Sequence, residues 1–300
     1  MDDHQRSVVI TGASTGIGRT CALALAAQGW HVFAGIRAAV DVDALRSEGQ
    51  GNVTPVFIDV THPEAIAAAA QQVYEETGEA GLDGLVNNAG IAVVGPLEFV
   101  PISQLRRQLE VNVIGQIAVT QSFLPMLRHA QGRVVLMGSV SGFCSLPLFG
   151  PYSASKFALE ALADALRLEL RPWGMHVAIV EPGATKTAIW DKSVAENRAM
   201  KARFPAKAGI LYGEMLLRLD EVVRNTSERA IPSIRVAEAV THALTASRPK
   251  ARYVVGEMAR VQLIMEALPV WLRDLILAQL LLSQGDTDRN VPISAPEFGV

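Results

Sequence analysis

Short apolar runs alternate along this chain with longer stretches in which apolar residues recur every three or four positions. Residues 7–10 (SVVI), 30–35 (WHVFAG), 53–60 (VTPVFIDV), 82–88 (LDGLVNN), 132–139 (GRVVLMGS), 175–183 (MHVAIVEPG) and 251–256 (ARYVVG) read as seven strands. They are near-continuously apolar, the pattern of strands covered on both faces, so the sheet is expected to be parallel. Between them lie helical patterns at 21–29, closed by Gly29, and at 62–78, with Pro63 near its start and Gly78 at its end. A long helix is expected over 102–130, kinked at Pro125, and another over 153–171. Right-handed crossovers then give an α/β fold: a single doubly wound domain, a seven-stranded parallel sheet with helices on both faces. The domain is read as 1–260, with a less regular insertion at 188–230 and a C-terminal apolar helical tail at 261–300.

Composition narrows the picture. The chain has 300 residues, half of them hydrophobic and 19% charged, enough for a full core and unlike a disordered chain. A formal charge of −3 gives no basic surface for nucleic acid. Two cysteines, Cys21 and Cys144, are too few for a disulfide framework, which fits a reducing, cytoplasmic setting. The start, MDDHQRSVVI, carries two acidic residues and runs straight into a strand, so no targeting leader is read there. The six histidines show no metal-ligand spacing, and no metal is expected.

The segment TGASTGIG, residues 11–18, follows the first strand and opens the first helix. Gly12, Gly16 and Gly18 allow a tight turn and close backbone approach, and the helix N-terminus offers free N–H groups to a pyrophosphate. The spacing is G-x-x-x-G-x-G, not the commoner G-x-G-x-x-G. The second strand ends in Ile36 and Arg37, where an acid would bond a ribose 2′-hydroxyl. Arg37 instead suits a 2′-phosphate, so NADP(H) is favoured and NAD(H) stays open. Asp59 ends the third strand within reach of an adenine edge.

Tyr152 and Lys156 stand one helical turn apart in PYSASKFALEAL, residues 151–162. A phenol titrates near pH ~10, and a neighbouring ammonium favours its anion. Lys156 is therefore expected to lower the Tyr152 pKa and make it an acid or base at neutral pH.

These stretches together resemble the short-chain dehydrogenase/reductase family. The resemblance runs through TGASTGIG, Asp59 and Val60, NNAG at 87–90, Asn112 in VNVIG, Ser139 in GSVSG, YSASK at 152–156 and PGATKT at 182–187. It covers residues 7 to about 190, and LRLELRPWGMHVAIVEPG is similar to the hydroxysteroid and retinol dehydrogenase branch. It implies a Rossmann-type dinucleotide-binding catalytic domain. Gly12, Ser14, Gly16, Ile17 and Gly18 would line the phosphates and ribose, Arg37 the 2′-phosphate, and Asp59 and Val60 the adenine. Asn88, Ala89 and Gly90 would hold the cofactor's centre, Pro182, Gly183 and Thr187 would flank the nicotinamide, and Tyr152 and Lys156 would face its ribose. Asn112, Ser139, Tyr152 and Lys156 match the family's catalytic tetrad. Tyr152 would be the acid/base, Ser139 would hold the substrate oxygen, and Asn112 would order a water through which Lys156 exchanges protons. Each side chain alone has a plainer reading: Lys156 as a partner of Glu160, Ser139 as a strand-end cap, Asn112 as a kink residue.

Phe143, Leu146, Leu148 and Phe149, with Ile189 and Trp190 after the sixth strand, would wall an uncharged pocket for a lipophilic, steroid- or retinoid-like alcohol or carbonyl compound. Residues 188–230 would form its lid. The tail at 261–282 is broken by Glu266, Pro269, Arg273 and Asp274, so it is read as packing on the domain or a partner subunit, with peripheral membrane contact the lesser reading and no transmembrane segment. The resemblance implies a homodimer or homotetramer through the long helices. The expected activity is NADP(H)-dependent hydride transfer between nicotinamide and a small-molecule secondary alcohol or carbonyl. The competing class is a non-catalytic NADP(H)-binding redox sensor.

Overall fold

The protein is described here as a computed structural model that covers residues 5–186, 196–228, 230–256 and 264–281. The strands β1 (Ser7–Ile10), β2 (His31–Ile36), β3 (Val53–Phe57), β4 (Gly84–Asn87), β5 (Arg133–Met137), β6 (His176–Pro182) and β9 (Arg252–Val255) form one sheet of order β3-β2-β1-β4-β5-β6-β9. Every pairing in it is parallel, as the continuous apolar runs predict. A separate two-stranded piece, β7 (Thr185–Lys186) with β8 (Ile231–Pro232), lies beyond the end of β6 and had no sequence signal.

Side chains alternate across the sheet and build two cores. Val8 and Ile10, with Val135 and Met137, face α1 (Gly16–Ala26), α2 (Val42–Glu48) and α8 (Ser233–Thr245). Val9, with Val134 and Leu136, faces α3 (Pro63–Thr77), α5 (Gly115–His129) and α6 (Gly150–Glu169). Each fully buried Leu, Ile or Phe stabilises the fold by roughly 1.5–3 kcal/mol. The helix α3 shows how local sequence and packing agree. Pro63 supplies its first turn, Ile66, Ala69 and Val73 fall on its inner face, and Gly78 at φ +55° ends it in a conformation most residues avoid.

Two stretches depart from expectation. The long helix over 102–130 is α4 (Ile102–Leu109), a π-helical turn (Glu110–Ile114) and α5, with Pro125 inside α5. The irregularity therefore sits at Asn112, at a point where Gly115 presses on the loop after β3. A Cβ on Gly115 would meet the Val60 carbonyl oxygen at 2.6 Å, so only glycine fits. The second departure is α7 (Ala206–Glu228), a long helix where irregular chain was expected. Ala208 and Leu219 are buried while Ile210 and Leu217 face out, an amphipathic pattern that Gly209 and Gly213 obscure in the sequence. In the tail, α9 (Val270–Leu281) packs near α7.

Candidate active site

The strand order reverses between β1 and β4, and the glycine loop after β1 meets the NNAG segment after β4 at that point. A doubly wound sheet opens its ligand crevice there. The two segments are tied together by Thr11, which is fully buried. Its hydroxyl accepts from the amides of Asn88 (2.9 Å) and Ala89 (3.0 Å). The Asn88 side-chain amide donates back to the carbonyls of Thr11 (2.9 Å) and Gly12 (3.1 Å). Gly12 has φ +64°, and a Cβ on Gly18 would sit 2.3 Å from the Gly12 oxygen and 2.4 Å from Asn88 Nδ2. The turn can close over the start of α1 only with glycines at both places, which leaves the helix N-terminus bare for a phosphate.

At the end of β2, Arg37 is exposed and makes no ion pair or hydrogen bond among the described residues. The next strand, β3, ends at Phe57, short of the sequence expectation, and Asp59 stands two residues beyond it; its Oδ1 accepts from the Thr61 amide (3.0 Å) and hydroxyl (2.7 Å). Burial pushes this carboxyl up, but those bonds and His62 outweigh it, and its pKa lies below the usual range. Val60 beside it is buried against Gly115. Gly12, Arg37 and Asp59 thus follow the same ends of three neighbouring parallel strands, β1, β2 and β3.

Across the crevice stand the four residues of the expected tetrad. Ser139, two residues past β5, accepts from the Ser141 amide at 3.2 Å and lies within hydrogen-bonding reach of the Tyr152 phenol. Lys156 is buried, its Nζ donating to the Met137 carbonyl at 2.7 Å and lying 5.6 Å from the centre of the Tyr152 ring. Loss of hydration pushes this ammonium down to about 8, against the pull of the Glu160 charge. The same loss holds the Tyr152 phenol above its ordinary value, with the Ser139 hydrogen bond opposing it. This corrects the sequence expectation: in the protein by itself, burial outweighs any lowering by the lysine.

Asn112 lies in the π turn, wholly buried. Its Oδ1 accepts from the Ile91 amide (2.9 Å), and its Nδ2 donates to the Ile91 carbonyl (3.0 Å) and Ser155 Oγ (3.2 Å). One turn earlier, Gln108 bonds Val93, Ile91 and Ser155 in the same way, and Ser155 Oγ donates to the Tyr152 carbonyl at 2.6 Å. This buried network fixes the first turn of α6 relative to the NNAG segment, so the place of Tyr152 is set by polar contacts it does not itself make. Thr11, Gln108 and Ser155 escaped the sequence reading. The only signal was their spacing, Gln108 four residues before Asn112 and Ser155 three after Tyr152.

Of the expected pocket walls, Leu146, Leu148 and Phe149 cluster with Tyr152, joined by Val94 and by Met215, Leu216 and Leu219 of α7. Phe143 packs apart from them, with Val140, Cys144 and Val254. Pro182 ends β6 and Gly183 follows it at the same end of the sheet, Gly183 donating to the Val255 carbonyl at 2.9 Å. Thr187, Ile189 and Trp190 lie outside the described residues. Among the described residues no group of metal-ligating side chains occurs, and no helix is long and apolar enough to cross a membrane.

The family profile described as short chain dehydrogenase matches residues 6–198. The chain is 37% identical over 256 residues to an NADPH-dependent 3-dehydrocapnine reductase of Ornithobacterium rhinotracheale, covering 84% of this chain and 88% of that one. It is 36% identical over 281 residues to mouse retinol dehydrogenase 5, covering 91% and 88%. A short chain dehydrogenase from Burkholderia cenocepacia, solved in complex with NADP, superimposes with a TM-score of 0.70 at 25% identity, over 94% of this chain and all of that one.

Proposed function

The chain belongs to the short-chain dehydrogenase/reductase family, in its retinol and hydroxysteroid dehydrogenase-like branch, and is an oxidoreductase; from that premise we propose that it uses NADP(H) to interconvert a lipophilic secondary alcohol and its carbonyl compound. The observation that carries this reading is the contact of Ser139 with the Tyr152 phenol, over a buried Lys156, at the end of β5 beside the glycine turn.

NADP(H), when bound, supplies or takes up the hydride. The chain's own residues do the rest. Gly12, Ser14, Gly16, Ile17 and Gly18 would surround the pyrophosphate, and the exposed Arg37 would meet the 2′-phosphate. Asp59 and Val60 would flank the adenine, Asn88, Ala89 and Gly90 the middle of the cofactor, and Pro182, Gly183 and Thr187 the nicotinamide. Ser139 holds the substrate oxygen against the Tyr152 hydroxyl, and the phenol, protonated at neutral pH, donates to that oxygen during reduction. Oxidation needs the reverse transfer, and there the positive charge of Lys156 favours the phenolate. Because Asn112 spends its side chain on Ile91 and Ser155, its part in proton exchange falls to the backbone of the π turn.

The apolar cluster around Tyr152 supports a bulky, uncharged substrate, as does the relative named for retinol. The 1–260 unit is the catalytic domain, α7 is part of its cover, and the chain assembles as a homo-oligomer through α5 and α6.

Turnover of apolar ketones and secondary alcohols, followed at the nicotinamide absorbance, tests the reading. Tyr152→Phe is expected to cost about 10²–10⁴-fold in kcat with NADPH affinity unchanged. A parent protein that binds NADPH but turns over nothing in a broad panel would instead be a nucleotide-binding regulator.

A further inference from the structure

One helical turn beyond Lys156, α6 carries Glu160, and the residue before Pro182 on β6 is Glu181. Glu181 has no solvent exposure and Glu160 keeps 14% of its side chain exposed. The two carboxyls lie within hydrogen-bonding reach of each other. Arg252 at the start of β9 pairs with Glu160 and approaches Glu181 Oε1 at 2.9 Å. Among the described residues, Glu160 Oε1 and Glu181 Oε2 find no hydrogen-bond donor, and Glu181 Oε1 has only the Arg252 guanidinium beside it. Two buried acceptors that face each other lack a proton between them, and one guanidinium cannot neutralise two carboxylates. Burial and the Glu160 charge push the Glu181 carboxyl up to about 8, and burial raises Glu160 as well.

The geometry points to a further role for this cluster: Glu160 and Glu181 share one proton, and the single negative charge they retain holds the buried Lys156 in its charged form. They are positioning residues for Lys156, and the inference rests on the reading of that lysine given above. The groups facing the pair are Lys156 and Asp164 on α6 and Arg252 on β9, and the turn at 140–142, which closes over Glu160 through Gly142, brings no titratable side chain. No net proton is consumed: the shared proton stays in the pair while the ammonium keeps its own.

The test is the titration of Lys156, read from the 13Cε shift of labelled lysine in the full-length protein with NADPH absent, assigned with Lys156→Met. Glu160→Gln leaves the retained charge on Glu181, whereas the charge acting on Lys156 is that of Glu160, so the lysine midpoint should fall by about half a pH unit or more. Glu181→Gln donates an amide hydrogen to Glu160 and leaves that carboxylate fully ionised, so the midpoint should hold or rise. Opposite responses from two isosteric variants distinguish charge setting from packing. In the unsubstituted protein, infrared difference spectra should show a protonated carboxyl persisting to near-neutral pH and missing from Glu181→Gln. Equal shifts in both variants, no shift in Glu160→Gln, or no such carboxyl band would overturn the inference. None of these readouts needs turnover, so failure of the oxidoreductase assay would leave this result standing, and the reverse.

Discussion

Lys156 shows what a single residue costs this fold and what it returns. The residue is 4% exposed, and its ammonium donates to the Met137 carbonyl and is pushed from its ordinary 10.5 down to about 8. That displacement corresponds to about 3 kcal/mol of preference for the neutral form. The folded pKa lies below the unfolded one. Between about 8 and 10.5 the unfolded chain therefore binds more protons, and stability contributed here rises with pH; below about 8 the full penalty applies. Lys156→Met is thus expected to stabilise the protein at pH 7 by about 1–3 kcal/mol while abolishing turnover, with the gain shrinking toward pH 10.5. Denaturant melts of parent and variant across that range decide it; a methionine variant less stable at every pH would contradict the assignment. At the other end of the crevice, Arg37 is exposed with no partner among the described residues, so its loss should disturb little but the cofactor. Arg37→Leu is expected to raise the KM for NADPH about 10–100-fold, the worth of a charged hydrogen bond, and to leave that for NADH nearly unchanged.

At the scale of elements, the site depends on ties between segments distant in sequence. Thr11 is the clearest of them. Thr11→Val keeps the volume and removes the acceptor for the Asn88 and Ala89 amides. Two partly buried donors left bare should together cost about 1–3 kcal/mol, a loss of a few degrees in Tm, and weaken NADPH binding together with stability. Thermal unfolding with and without NADPH separates the two effects. Such ties explain what the sequence could and could not tell. The seven strands, α1 and α3 were legible because each carries its own period and its own stop, as Gly78 does for α3. The crevice was legible because Gly12, Gly16 and Gly18 answer a local backbone need. The π turn was not, because it lies beside the close approach of Gly115 to the Val60 carbonyl, a contact across some fifty positions that only the assembled fold makes. Nor was the network of Gln108 and Ser155, since both residue types serve equally well on a solvated helix face. The direction of the Tyr152 shift was misjudged for a related reason: the spacing of two side chains is written in the chain, but the dielectric around them is made by the assembled core.

For the whole molecule, the faces left uncovered matter most. Along α6, Phe157, Ala161, Ala165 and Leu168 are all exposed, at successive spacings of four, four and three, a continuous apolar stripe opposite the buried Leu159 and Ala163. Phe157 and Leu168 are 43% and 64% exposed, and Ile114, at the head of α5, is 54% exposed. Small residues at the centre of such a stripe let a second helix approach closely, and large ones at its ends give the contact area. A two-fold axis through the stripe would pair α6 with its own copy, so each substitution is felt twice. Leu168→Glu lies at the end of α6 far from Tyr152 and touches no residue of the crevice core, so it should leave the monomer fold intact. It places two like charges at the pairing face and should halve the mass measured by light scattering behind size exclusion, with an unchanged circular dichroism spectrum. An oligomer of undiminished mass would move the interface elsewhere, and a parent protein already monomeric at micromolar concentration would remove it altogether.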